Sequence, residues 1–195
     1  AALDGKARPG HSDYPAFCKY HGFEDRRGGG HFSGRITAAL VAAGAIADDA
    51  LQGKGVQLGT HLKVCAGIAD RDFEDAESDL TLLSRESFPV LSEEAGEKMK
   101  TAILQAKKEG DSVGGILETL VIGMPAGVGE PFFDTVEGLL SQGLFAIPAV
   151  KGVEFGEGFR LANLRGSESN DPYRIDEKGT IVTVTNRMGG ISGGI

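Results

Sequence analysis

Between positions 36 and 47 the chain carries no charge at all: Ile36, Leu40, Val41 and Ile46 stand among alanines, one threonine and one glycine. This pattern predicts a helix over 36–51. A helix that is apolar on every face is one buried on every side, so the expectation is a helix running between two layers. Over 55–68 the period changes. Val56, Leu58, Leu62 and Val64 fall at even positions among polar neighbours, as in a strand. The stretch 69–90 is acidic and reads as irregular and exposed. Ser92 followed by Glu93 and Glu94 opens a helix that runs through Met99, Ile103 and Leu104 to a basic end at Lys107 and Lys108, where Gly110 stops it. A second strand is expected over 112–123. A Gly/Pro turn follows at 125–131, then a short amphipathic helix over 133–144, and further strands over 147–155 and 180–185. Residues 1–30 read as loop-rich. No repeat of solenoid period is present.

Composition narrows the class. With 195 residues, 41% hydrophobic and 25% charged, the chain can build a sizeable core and is not of disordered type. Its 30 glycines are roughly twice average usage, which points to tight turns and close backbone–ligand approach. A net charge of −8 argues against nucleic acid or an anionic membrane held by bulk charge, yet leaves room for a local basic pocket. Cys18 and Cys65 form no CxxC pair, which favours a reducing compartment. The longest apolar run is too short to span a bilayer, and the first six residues do not resemble a signal peptide. The expected location is the cytoplasm.

The densest chemistry lies at Arg26-Arg27-Gly28-Gly29-Gly30-His31-Phe32-Ser33-Gly34-Arg35. Three glycines allow a tight turn whose amides approach a ligand. Ser33 is suited to cap the helix behind it, whose first N–H groups form an anion site. Arg35 sits where the helix dipole disfavours a cation, which suggests an anion in front of it. The alternative is a flexible turn with a solvated arginine. His11, His21 and His31 are ten residues apart and match no standard metal spacing, so no metal site is expected. His11 is either a general acid or a surface histidine. There is no GxxxxGK[ST], no GxGxxG and no GxSxG. Spacing alone therefore leads to an anion- or cofactor-binding α+β domain.

Six stretches in order carry a resemblance. They are Arg8-Pro9-Gly10-His11-Ser12-Asp13-Tyr14, the glycine turn through Arg35, Glu109-Gly110-Asp111-Ser112-Val113-Gly114-Gly115, Pro125-Ala126-Gly127-Val128-Gly129-Glu130-Pro131, Ile147-Pro148-Ala149-Val150-Lys151-Gly152-Val153-Glu154, and Asn186 with Gly189-Gly190-Ile191-Ser192-Gly193-Gly194-Ile195. Together they resemble the chorismate synthase family over essentially the whole chain. The resemblance implies an α+β fold, a β-α-β sandwich with an apolar helix buried between antiparallel sheets. The implied enzyme is a lyase, a homotetramer, acting in the shikimate pathway of aromatic amino-acid biosynthesis. It turns 5-enolpyruvylshikimate 3-phosphate into chorismate and phosphate by a 1,4-anti elimination that requires reduced FMN, with NADPH as a possible reductant.

By position, the resemblance makes His11 a proton-transfer residue near flavin and substrate, and Arg8 and Arg35 binders of the anionic substrate, with Ser33 beside them. His31, Phe32, Ser33, Pro148, Ala149 and Gly193 fall at flavin contacts; His31 and Phe32 depart from the Arg-Ser-Ser found in many members. Family members continue beyond these motifs at both ends. A Gly-Glu-Ser-His-Gly-type histidine motif and a Lys-Pro-Thr flavin loop of the family do not occur in these 195 residues. The expectation is thus a single domain or the central fragment of such an enzyme, with a non-catalytic flavin- or anion-binding fragment as the alternative.

Overall fold

The computed structural model describes residues 6–25 and 27–195; Arg26 of the glycine stretch and the amino-terminal residues 1–5 lie outside them. In chain order the elements are α1 (Asp13–Tyr20), α2 (Thr37–Gln52), β1 (Gln57–Cys65), β2 (Ile68–Ala69), α3 (Ala76–Leu83), α4 (Glu93–Glu109), β3 (Gly115–Ile122), α5 (Val136–Phe145), α6 (Gly166–Ser169), β4 (Tyr173–Ile175) and β5 (Ile181–Thr183). This is a mixed α+β chain with antiparallel sheets, as expected. It divides into two compact units, one of residues 42–124 and one of residues 1–41 with 125–195. No helix among the described residues is long and apolar enough to cross a membrane.

In the 42–124 unit, β1 is the middle strand of the order β2-β1-β3, antiparallel to both neighbours. Its pairing with β3 sets His61 opposite Glu118 and Thr60 opposite Thr119, with a register shift between Leu62 and Val64. The fully buried positions of β1 are His61 and Cys65, whereas Leu58 on the even face is exposed. The alternation therefore marks burial only in part: at even positions Val56 is buried and Leu62 packs on the core, but His61 and Cys65 at odd positions are buried as well. Cys65 packs with Val90, Ala95 and the fully buried Met99, and Leu62, Ile68, Phe88 and Ile103 close the cluster. A Cβ on Gly59 would come within 2.4 Å of Leu80, which fixes how closely α3 lies on β1. Ser92 caps α4 by accepting from the Ala95 amide, and Gly110 ends it in the left-handed conformation.

The acidic stretch 69–90 is more ordered than its composition suggests. Asp75 caps α3 through the Ser78 amide, and Leu80 and Leu83 are buried. Asp79 is buried under the Arg71 guanidinium, to which it is joined by two hydrogen bonds of 2.5 and 3.1 Å. Buried Asp70 accepts from the amides of Arg71, Leu91 and Ser92 and meets His61 Nδ1 at 2.8 Å. The other ring nitrogen of His61 lies 2.8 Å from Glu118, which also pairs with Lys63. These acids are placed by partners rather than by water.

The remaining unit differs from expectation in three places. The loop-rich start contains a regular helix, α1. The segment 147–155 is turn and extended chain, not a strand: Ile147 and Val150 amides close back on Leu144 and Ile147, and Ala149 takes φ +71°. The strand expected over 180–185 forms as β5 but pairs with an unexpected β4 in a hairpin that brackets Asp176, which accepts from the Lys178 and Thr180 amides. The apolar helix also needs correction. It forms as α2, but no residue of it is buried. An all-round apolar helix needs cover on all sides, and the described residues do not supply it.

Candidate functional site

The amino-terminal half of the site is built by one tight loop and the first turn of α1. Asp13 opens that helix and folds its carboxylate back over Arg8, accepting from the Arg8 amide at 2.9 Å, from Nε at 2.8 Å and from Nη2 at 2.8 Å. The same carboxylate reaches His11, with Oδ1 2.8 Å from Nδ1. Arg8 Nη2 and Ser12 Oγ stand farther from that nitrogen, at 3.2 and 3.4 Å. The Arg8 guanidinium and backbone, against a small opposing effect of burial, hold the Asp13 carboxyl far below the ordinary carboxylate range. Asp13 in turn raises Arg8, which stays cationic.

Across from this trio runs the glycine turn. Gly28, Gly29 and Gly30 all take positive φ, at 58°, 88° and 54°. A Cβ on Gly29 would come within 3.4 Å of His11 Nε2, and one on Gly30 within 2.4 Å of the Asp25 carbonyl. Only glycine allows both the backbone conformation and this closeness. Ser33 accepts from the Arg35 amide at 3.4 Å and so caps a short 3-10 turn, Gly34–Ile36, that leads into α2. Arg35 turns back on the loop, and its Nη1 donates to the Gly28 carbonyl at 2.9 Å. The rings of His31 and Phe32 lie 4.0 Å apart, with Tyr20 edge-on to His31 at 5.6 Å. Ser12, Asp13, Tyr14, Gly29 and Phe32 line a hollow of about 290 Å³ that Lys6 also borders.

The carboxy-terminal candidates stand on other elements. Pro148 and Ala149 occupy the turn after α5. Gly193 lies in a final 3-10 turn, Ser192–Gly194, at φ +71° with open space where a side chain would stand. That turn packs on α5: a Cβ on Gly194 would come within 2.6 Å of Thr135, and one on Gly129 within 2.1 Å of the Gly194 carbonyl. The approach to it is held by Asp171, which accepts from the Thr185 hydroxyl and the Arg187 and Met188 amides at 2.6–2.8 Å. The Glu157 amide donates to the Arg187 carbonyl at 2.7 Å, and a Cβ on Gly156 would strike that carbonyl at 2.2 Å. Sequence reasoning assigned no role to Asp13 or Asp171. Asp13 lies inside a motif it used, but its reach to both Arg8 and His11 needs the α1 turn. Asp171 is 14 to 17 residues from its partners.

Chemically, the first cluster offers two cations, Arg8 and Arg35, each with guanidinium donors left over for an anion, beside an imidazole. An aromatic group and close glycine backbone adjoin it. The His31–Phe32 ring pair offers an aromatic surface, and Gly193 has open space where a side chain would stand.

Comparison with known proteins identifies a family. The family model for chorismate synthase matches residues 1–195. A chorismate synthase of Pyrococcus abyssi is 47% identical over 193 residues, covering 99% of this chain and 53% of that protein. One of Dehalococcoides mccartyi is 47% identical over 97% of this chain and 52% of its own length. One of Thermococcus kodakarensis is 46% identical over 96% of this chain and 51% of its own. A crystal structure of chorismate synthase superposes with a TM-score of 0.83 at 27% identity, over 94% of this chain and 58% of that one. The chain thus spans about half the length of the curated relatives it matches, and it belongs to the chorismate synthase family.

Proposed function

We propose that this chain carries the central catalytic residues of a chorismate-forming lyase, which converts 5-enolpyruvylshikimate 3-phosphate into chorismate and phosphate by a 1,4-anti elimination. The observation that carries this reading is the Arg8–His11–Asp13 cluster facing Gly29, of which Asp13 and Gly29 line a hollow. The substrate loses one proton and one phosphate, and its phosphate and two carboxylates need cationic partners. Arg8 and Arg35 bind these anions with the donors not spent on Asp13 and on the Gly28 carbonyl. His11 moves a proton near the reacting carbons. Ser33 holds the start of the Arg35 turn. His31, Phe32, Ser33, Pro148, Ala149 and Gly193 would hold FMN, with NADPH as a possible source of its electrons. The reduced flavin, when bound, supplies electron density as the phosphate leaves. The working protein is a cytoplasmic homotetramer on this reading.

A second reading is a fragment that binds flavin or anion without turnover. The exposed face of α2 favours it. Anaerobic phosphate release from 5-enolpyruvylshikimate 3-phosphate with reduced FMN separates the two. Release by the 195-residue chain supports the enzyme reading. FMN binding without release supports the second.

A further inference from the structure

We infer that His61 is a buried imidazolium clamp: at neutral pH Nδ1 gives a hydrogen to Asp70 and Nε2 gives one to Glu118, and loss of the Nε2 hydrogen in alkali releases the Glu118 side chain. The proton count follows from the partners. Each ring nitrogen lies 2.8 Å from a carboxylate oxygen. A carboxylate only accepts, so each contact needs a hydrogen, and a neutral imidazole has one to give. The second hydrogen is not well held by either carboxyl group. Against burial, the Leu91 amide, the His61 ring and the Arg71 and Ser92 amides keep the Asp70 carboxyl below its ordinary range. The Glu118 oxygen that meets Nε2 also meets the Lys63 ammonium at 3.1 Å, and the Glu118 side chain is 42% exposed. Both favour the carboxylate. The two hydrogens therefore belong to the ring.

The surroundings balance a positive ring, which would be costly if buried alone. Segment 70–73 brings Asp70, Arg71 and Asp72, with the Phe73 ring in a T-shaped contact 4.8 Å from the imidazole. β3 brings Glu118, and β1 itself brings Lys63, which pairs with both Asp72 and Glu118. α3 brings Asp79, held by Arg71. The segment before α4 contributes the Leu91 and Ser92 amides. Among the described residues these four carboxylates outnumber the two cations, so an imidazolium moves the group toward neutrality. The two ends of the ring differ. Asp70 is enclosed and held by three amides, so Nδ1 keeps its hydrogen. Glu118 has water beside it, so once Nε2 is bare its carboxylate swings outward while the core stays closed. His61 and Glu118 stand opposite each other on β1 and β3, and alkali loosens this one cross-strand tie.

The test is NMR of the 195-residue chain labelled with nitrogen-15 and carbon-13, the His61 ring being assigned by correlation from its own backbone amide. At neutral pH both ring nitrogens are expected at protonated shifts; a bare nitrogen would overturn the inference. As pH is raised, Nε2 should lose its hydrogen before Nδ1, and the Glu118 carboxyl carbon should shift in step with it. Loss from Nδ1 first, or a Glu118 signal that does not move, would overturn the clamp without any variant. Glu118→Gln keeps the shape but can donate an amide hydrogen to Nε2, so its ring is expected neutral and protonated on Nδ1 alone. A ring still doubly protonated in a variant that is folded by circular dichroism would remove Glu118 from the clamp. Denaturant unfolding gives a further readout. The unfolded ring loses its proton around pH 6.5, and above that pH the native state holds one proton more. The wild-type folding constant should therefore fall by up to about tenfold per pH unit until Nε2 is bare, and Glu118→Gln should lack that slope. Equal slopes in the two proteins would overturn the link between this proton and the fold.

Discussion

Arg8 and Arg35 are each half-spent before any ligand arrives. Arg8 gives Nε and Nη2 to Asp13, and Arg35 gives Nη1 to the Gly28 carbonyl. What remains is a preorganised remainder of each fork, held in place rather than free on its stem. In an anaerobic phosphate-release assay, Arg35→Ala is therefore expected to weaken substrate binding while FMN affinity is nearly kept; the reverse pattern would contradict the role given to Arg35. His11→Ala is expected to lower turnover about 10²-fold or more, the usual worth of a positioned acid or base. Turnover that does not change would remove His11 from the reaction. At this scale the sequence is informative where chemistry is local. The Gly28–Gly30 turn depends on neighbours a few residues away and occurs as read, and Ser33 does cap, though the short 3-10 turn before α2 rather than α2 itself. The buried His61 was invisible, because its partners Asp70 and Glu118 are 9 and 57 residues distant.

Elements differ in how far their signals survive folding. α4 was legible from end to end because its cap, acidic first turn, basic last turn and terminal glycine all act within the helix. The acidic stretch before it was not, since the same aspartates describe a solvated loop and a set of pinned turns. Asp79 is pulled down to about 2, first by the Arg71 side chain and against burial, with the Glu74 amide helping. A carboxyl lowered on folding stabilises above its unfolded value, roughly 4, and that stability is lost as pH falls through the folded value. Thermal melts of the chain should thus drop between about pH 4 and pH 2, and Asp79→Asn should flatten that dependence while lowering stability at neutral pH. A pH-independent melt across this window would sink the argument. At the other end of the chain, Asp171 holds the Arg187 and Met188 amides. Asp171→Ala should speed hydrogen exchange at those two amides by about tenfold or more, one hydrogen bond being worth about 1 kcal/mol or above when charged. Exchange equal to wild type would show that the glycine loop is held without it.

At the scale of the whole molecule, the α+β class was legible because period and order survive in sequence and the antiparallel sheets only through the family resemblance, whereas burial is set by what covers each face. α2 shows the difference most plainly. Its sequence specifies a helix with apolar residues all round, and the helix forms, yet Leu40, Val41 and Ile46 are 56%, 70% and 76% exposed. α5 repeats the pattern with Leu139, Leu140 and Phe145 about half exposed. Single exposed apolar residues are ordinary, but rows of them along a helix mark a surface that associates. The net charge of −8 opposes association at long range and is screened by salt, while apolar burial is not. The 195-residue chain should therefore sediment as concentration-dependent oligomers, more so as salt is raised, over the micromolar range. Leu40→Lys combined with Ile46→Lys replaces two of these side chains by charged ones at exposed helical positions, where lysine is a good helix former. The double variant is expected to shift the distribution toward monomer with helix content unchanged by circular dichroism. A wild-type chain that stays monomeric at every concentration and salt would mean that the exposed rows do not drive assembly. An oligomer indifferent to the double substitution would move the association surface away from α2, leaving the exposed apolar face of α5 as the next to alter.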